Sequence, residues 1–311
     1  MKTGTTKLRI ISLCPSATET AYALGLGPFM VGVSHQCDYP EAVASLPKLT
    51  STWVVDEGDS GAIAEKVQAN RDRWGTIYDV DEGLLSELKP DLILTQQVCK
   101  VCALPADVAL EVAGRKLAGC QVIPFTANCL QDILDSIRAL AYAADIRRQG
   151  EQLAEQIAET VSRVKERTSK VEPKRSFIME WIEPLQNAGH WIPELMEAAG
   201  GREALANWDG RTRVSWEQVL DFSPEVILIS PCGFDIPRTL QEIHKATSRP
   251  GWSKLPAVRI GAVFIGNGKV ITRYAPRIKE VVRGLAHILH PEIFPQAPDP
   301  RLLSPLLRAP L

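Results

Sequence analysis

Cys99 and Cys102 stand two residues apart just after the apolar run Asp91-Leu92-Ile93-Leu94. A Cys-x-x-Cys at a strand end can be a dithiol redox pair, half of a soft-metal site, or two small side chains lining a turn. No second such pair occurs at zinc-finger spacing, and the motif lies several elements into a 311-residue chain, which weakens both the zinc and the thioredoxin-like readings. The same residue types recur after other apolar runs. "CPS" supplies Cys14 and Pro15, "SHQCDYP" supplies His35, Cys37 and Tyr39, and Gln97 precedes the Cys pair. Further along the chain, "EWIEPLQNAGHW" carries Trp181, His190 and Trp191, and "SPCGF" carries Cys232 and Phe234. Thiolates and imidazoles suit zinc or copper, which makes Cys37, Cys99, Cys102 and His190 the candidate metal ligands; thiols packed in interior turns are the competing reading. His287 and His290 sit three apart at the end of a helical pattern and read as a helix C-terminus. Trp53, Trp181, Trp191, Trp208 and Trp216 can be buried in two cores, but several lie beside turn residues, where an indole can be left open to stack on a large planar ligand. There is no Gly-x-Ser-x-Gly, P-loop or His-Glu-x-x-His, so nothing calls for an enzyme and no catalytic residue is assigned.

These residues need elements to hold them. "LRIISL", "MVGVS", "DLILT" and "QVIPF" in the first half, and "RSFIME", "EVILIS" and "GAVFIG" in the second, predict buried strands. Helical patterns separate them, the first in "SATETAYALGLG" with Ser16 as an N-cap and Gly25 or Gly27 as a stop. Alternation of this kind predicts α/β architecture with parallel, helix-covered sheets, whose ligands bind beyond the carboxyl ends of the strands. From Asn128 to about Lys170 there is no strand signal, and two apolar stripes, Leu130-Ile133-Ile137-Leu140 and Leu153-Ile157-Val161-Val164, predict helices. The expected organisation is a lobe over 1–128, a helical connection over 129–171 with one long rigid helix, a second lobe over 172–291, and a proline-rich tail over 292–311 that wraps or frays. "LLSELKPDLIL" and "WEQVLDFSPEVIL" each give a helix, a Pro and a buried strand, a repeat consistent with two similar lobes. If the lobes face each other, the strand-end residues converge on one cleft.

A formal net charge of −2 argues against electrostatic binding to nucleic acid or to an anionic membrane surface, and no apolar run is long enough for membrane insertion. Seven cysteines without framework spacing fit a reducing compartment. Glu19 and Pro15 interrupt the N-terminal apolar stretch, so Leu8–Leu13 reads as a first strand and no cleavable signal is seen. The expectation from the residues is a cytoplasmic chain.

"RIISLCPSATETAYALGLG" followed by "VGVSHQCDYP", with "LKPDLILTQ", "PGWSKLPAVRIGAVF" and "TRYAPRI", resembles the substrate-binding proteins of iron-siderophore and cobalamin ABC importers over about residues 7–291. "DYP", "EW..P...GHW.PE" and "PCGF" are similar to the cobalamin-binding branch. The resemblance implies two Rossmann-like lobes on a helical spine, a corrinoid such as cobalamin as the ligand, no intrinsic cofactor, an ABC permease as partner, and a periplasmic setting in place of the cytoplasmic one. It implies that Tyr39, Trp53 and Trp208 hold the corrin, that Arg273 contacts its edge, and that Glu217 docks on the permease, with Glu82 a neighbour of the first-lobe position at Gly83. Residues Val54–Thr76 look like an insertion forming an extra helix, and Lys269 replaces an acidic residue of a relative. Another metal chelate, an iron-siderophore or haem, and an intracellular Cys/His metal-binding protein are the alternatives.

Overall fold

The apolar runs become strands in a computed structural model that describes residues 8–54, 58–98, 111, 114, 117, 119–205 and 212–306. In chain order the elements are β1 (Ile10–Ser12), α1 (Pro15–Ala23), β2 (Met30–Val33), β3 (Thr50–Thr52), α2 (Ser60–Trp74), β4 (Tyr78–Val80), α3 (Glu82–Leu88), β5 (Leu92–Gln96) and β6 (Gln121–Phe125). Two long helices come next, α4 (Leu130–Ala143) and α5 (Arg147–Thr168). Then come β7 (Lys174–Trp181), β8 (Gln186–Asn187), α6 (Ile192–Ala198), β9 (Gly201–Arg202), β10 (Thr212–Arg213), α7 (Trp216–Phe222), β11 (Val226–Ile229), α8 (Ile236–Gln241), α9 (Ile243–Thr247), α10 (Pro256–Ile260), β12 (Val263–Gly266), α11 (Gly268–Ile271), α12 (Ile278–Leu289) and β13 (Leu303–Pro305). The chain divides into two units. One takes residues within Met1–Asp56, Glu65–Ala127 and Gln131–Glu155, and the other takes those within Glu57–Ala64, Asn128–Leu130 and Gln156–Leu311.

In the first unit the sheet is wholly parallel with order β2-β1-β5-β6, so the strand order reverses between β1 and β5. Ile10, Ile11, Ile93 and Leu94 are fully buried, which is why these strands read as unbroken apolar runs and not as alternation. An antiparallel pair, β3 with β4, stands beside it, and Lys48 bridges Val33 in parallel before β3 begins.

The second unit's sheet runs β10-β8-β7-β11-β12-β13, with a parallel centre of β7, β11 and β12 and antiparallel flanks, so it is mixed where the sequence predicts purely parallel. Phe177, Met179, Ile227 and Ile229 form its core with Val219, Trp216 and Trp252, the last two rings stacked 6.1 Å apart. Trp216 is therefore a core residue whose indole N–H donates to the Pro250 carbonyl at 2.7 Å. The tail does not fray over its described part. Leu302 and Leu303 are buried and β13 pairs antiparallel with β12, the proline tolerated because it ends an edge strand.

Two local expectations shift. Helix α1 begins at Pro15 with Cys14 as N-cap, not at Ser16, because a proline at the first helical position needs no N–H partner and already has a helical φ. The paired βα units match in detail. Asp81 caps α3 and Ser215 caps α7 in a capping box, and the helices end at Lys89 and Ser223 in left-handed conformations before Pro90 and Pro224. The acid after each proline, Asp91 or Glu225, then accepts from a backbone N–H, of Arg9 at 2.8 Å and of Arg175 at 3.0 Å. Each of those arginines donates its Nε to a carbonyl at the preceding helix end, Leu88 or Ser223.

Candidate functional site

At the carboxyl ends of the first unit's strands, polar side chains are tied to one another by short hydrogen bonds. The Thr50 hydroxyl donates to Ser34 Oγ at 2.9 Å and accepts from His35, whose Nδ1 lies 2.7 Å away. That relay places the imidazole proton on Nδ1 and leaves a lone pair on Nε2, which is buried without a hydrogen-bond partner. Burial lowers the pKa of His35 below its ordinary value, against a hydrogen bond at Thr50 that raises it, and the Lys48 charge lowers it further. The Lys48 ammonium in turn holds the Cys37 and Val43 carbonyls.

Cys37 is buried at its strand end. It is 3% exposed, its sulfur lies 3.1 Å from Thr18 Oγ1, and Thr18 is a buried residue of α1. Cys14 is buried as well, its carbonyl accepting from Thr18 and Ser12, and Pro15 is buried as the first residue of α1. These residues shape the turn after β1, so the packing reading of the thiols accounts for their surroundings. Gln97 is exposed, with its N–H on the Phe125 carbonyl. Cys99, Cys102 and Trp208 lie outside the described residues. Among the described residues, no three of His, Cys, Asp and Glu come together in a group that could hold a metal. His287 and His290 do not form a metal pair: Nδ1 of His287 meets the Phe294 carbonyl at 2.7 Å, and His290 meets the Gly200 carbonyl and Glu292.

Aromatic surface gathers beyond the same strand ends. The 48–52 run starts parallel to β2 and continues past it, so Trp53 emerges beyond the carboxyl edge of the sheet, as does Tyr39 on the chain leaving β2. Tyr39 is 47% exposed and Trp53 44%. The Trp53 backbone N–H donates to the Ile77 carbonyl, which fixes its backbone while leaving the ring open.

In the second unit five of the expected residues make ring or hydrogen-bond contacts beyond β7, β11 and β12, and Arg273 follows one of their partners in the chain. The Trp181 ring packs on Phe234 at 5.3 Å. The Phe234 carbonyl accepts the Gly268 N–H, and Cys232 Sγ accepts from Thr272 Oγ1 at 3.4 Å, next to Arg273. Tyr274 meets Trp191 edge-on at 5.2 Å, and Trp191 stacks on His190 at 6.2 Å. A Cβ on Gly268 would lie 1.9 Å from the Pro231 carbonyl oxygen, so only glycine lets the β11 and β12 loops approach this closely. Trp181, Trp191 and Phe234 are buried at 9%, 3% and 4% exposure, where open stacking surfaces were expected. The physical reason is that neighbouring side chains and backbone already satisfy their faces. His190 and Arg273 are half-buried.

A segment legible in the sequence only as an insertion meets Trp181. Ser60 donates both its backbone N–H (2.8 Å) and its hydroxyl (2.9 Å) to Oε2 of Glu242, and its carbonyl accepts the Trp181 indole N–H at 3.1 Å. Arg238 holds the Gly58 carbonyl and Glu242 Oε1, and Lys245 bridges Asp59 at 2.6 Å and Glu183 at 2.8 Å. The hydrogen bond from Lys245, helped by the Ala62 N–H, holds the Asp59 carboxyl below its usual range. The expected extra helix exists as α2, but its first turn packs with the second unit. No sequence signal points to Glu242, 182 residues away.

The two permease candidates stand at different helical positions. Glu217 is the second residue of α7, exposed, its carboxyl held low by its own backbone N–H and by Ser215. Counting back from the left-handed caps Lys89 and Ser223, its counterpart in α3 is Gly83, and Glu82 is one residue earlier.

Residues 10–269 match the family described as "Periplasmic binding protein". The chain is 26% identical over 295 residues to an ABC transporter substrate-binding lipoprotein of Bacillus subtilis, covering 92% of this chain and 81% of that one. It is 30% identical to a vitamin B12-binding protein of Yersinia pestis over 229 residues, 71% of this chain and 69% of that one. Among solved structures, the periplasmic haem-binding protein of Pseudomonas aeruginosa superposes with a TM-score of 0.71 at 18% identity, covering 97% of this chain and 99% of that one. The vitamin B12-binding protein BtuF of Vibrio cholerae gives 0.66 at 24%, covering 90% and 96%. The two-lobe α/β fold stands on these likenesses. The family is periplasmic or extracytoplasmic, so the cytoplasmic expectation is not supported. Its basis was that the opening residues read as a strand, and Ile10–Ser12 is one, but a strand carries no address.

Proposed function

Because the chain belongs to the periplasmic binding protein family, we propose that it is a non-enzymatic substrate-binding protein that captures a metal chelate, with a corrinoid of the cobalamin type as the leading ligand, and hands it to an ABC importer. The observation that carries the reading is the half-open aromatic pair Tyr39 and Trp53 beyond the carboxyl edge of the first unit's sheet, the edge at which α/β sheets bind ligands. Exposed rings on fixed backbone offer a flat macrocycle apolar burial with little ordering to lose. The relatives named for vitamin B12 support a corrinoid, and the haem-binding neighbours keep haem as the second reading. Arg273 and His190, half-buried beside the Cys232 and Phe234 loop, are the polar contacts proposed in the second unit. Titrating the purified protein with cyanocobalamin should quench tryptophan fluorescence saturably, and Trp53→Ala should weaken binding by about tenfold. Absence of saturable binding with either cyanocobalamin or haemin would sink the reading.

Permease docking rests, in this proposal, on Glu217 more than on Glu82, since the first-lobe counterpart is Gly83. Uptake of cyanocobalamin by cells producing the protein should fall with Glu217→Lys while affinity is kept; unchanged uptake would remove Glu217 from the docking surface.

A further inference from the structure

Among the described residues six large hydrophobic side chains are exposed, and four of them are aromatics of the first unit: Tyr39, Trp53, Trp74 and Tyr142. Trp74 is the last residue of α2 and is 56% exposed, with its ring 6.0 Å from that of Trp53 at a 52° tilt. Both rings are held by short, tied backbone. Gly75 ends α2 in a left-handed conformation and donates to the Arg71 carbonyl. Two residues later the Ile77 carbonyl accepts from both the Trp53 N–H and Thr52 Oγ1. The indoles therefore form a preset, half-open aromatic corner beyond the carboxyl edge of the sheet. Arg73 lies over the Trp74 ring at 4.7 Å. A guanidinium over an aromatic ring keeps N–H donors that the ring does not use, and these can meet an anionic oxygen. A tryptophan pair in a core buries its faces, whereas Trp53 and Trp74 are 44% and 56% exposed and lie against each other.

We propose that Trp74 and Arg73 are specificity-determining contacts of the ligand site, extending the Trp53 face into an aromatic corner that takes the edge of a planar metal chelate and pairs an anionic substituent of that edge with Arg73. The inference rests on the proposed chelate-binding reading and adds the requirement for a peripheral carboxylate or phosphate. It places the discriminating residues on the segment around α2, the stretch that looks like an insertion in the sequence.

The test is calorimetric titration of the full chain with haemin, which carries free carboxylates, with cyanocobalamin, which carries a phosphodiester, and with dicyanocobinamide, which lacks that phosphate. Trp74→Ala is expected to weaken the bound chelate by about tenfold or more, and Trp74→Phe to restore most of it. Arg73→Gln should weaken the anionic ligand by about fivefold or more and leave dicyanocobinamide unchanged. Wild-type affinity in Trp74→Ala and Arg73→Gln, with Trp53→Ala still impaired, would overturn this inference and leave the binding reading standing. Failure of the unaltered protein to bind any of the three would overturn both.

Discussion

Replacing Glu242 by alanine should destabilise the second unit by about 3–6 kcal/mol, taking about 1.5–3 kcal/mol for each of its two hydrogen bonds from Ser60. The carboxylate is 3% exposed and accepts from Ser60 twice, at 2.8 and 2.9 Å. Its 3.4 Å contact with Arg238 adds less than about 1 kcal/mol, because that pair is wider and the arginine keeps some solvent. Loss of the carboxylate also leaves the Ser60 amide, buried at the start of α2, without an acceptor. Glu242→Gln keeps an oxygen for Ser60 and loses only the charge, so its loss should be about 1–2 kcal/mol. Urea unfolding followed by tryptophan fluorescence reads the global change. Amide hydrogen exchange at Ser60 reads it locally, with acceleration of about a hundredfold expected in the alanine variant. A shift below about 1 kcal/mol with unchanged Ser60 exchange would refute the assignment of Glu242 as the anchor of residues 58–64.

Two other outcomes depend on single residues. His35 has its pKa lowered in the fold, so the unfolded chain binds its proton more readily; its contribution is fully present above the unfolded value near 6.5 and is lost as pH falls toward the lowered folded value. The urea midpoint of the unaltered protein should therefore drop on acidification below about 6.5 more steeply than that of His35→Asn, and parallel pH profiles would contradict the burial argument. Gly268→Ala puts a Cβ 1.9 Å from the Pro231 oxygen, backbone that cannot swing aside, and should lower stability by about 3 kcal/mol and disturb the Cys232–Phe234 loop; a thermal midpoint equal to the parent's would show that the loop has slack.

Seven strands and the main helices were legible because their apolar periodicity is local: Ile10-Ile11, Leu92-Ile93-Leu94 and Val226–Ile229 are buried runs bounded by turn residues. β3, β4, β8, β9, β10 and β13 were missed. Each is only two or three residues long, too short to show a period, and β13 is hidden among prolines whose fit depends on lying at a sheet edge. Of the proposed site residues, Cys232, Phe234, His190, Trp191 and Trp181 are legible as polar and aromatic residues near strand ends, and Trp181 lies against Phe234 and His190 against Trp191. Whether a thiol or an indole is open is not legible: Cys37 and Trp53 both follow turn or strand residues, yet Thr18, 19 residues away, covers the thiol while the indole stays 44% exposed.

Fold class, the repeated βα unit and the strand ends at which to look for binding were decided by the sequence alone, because they arise from periodicity, caps and turns within a few residues. The partners of Ser60, the protonation of His35 and the pairing of Trp53 with Trp74 were decided only by tertiary structure. Each depends on residues at least fifteen positions apart being brought within contact distance, and no local propensity encodes that.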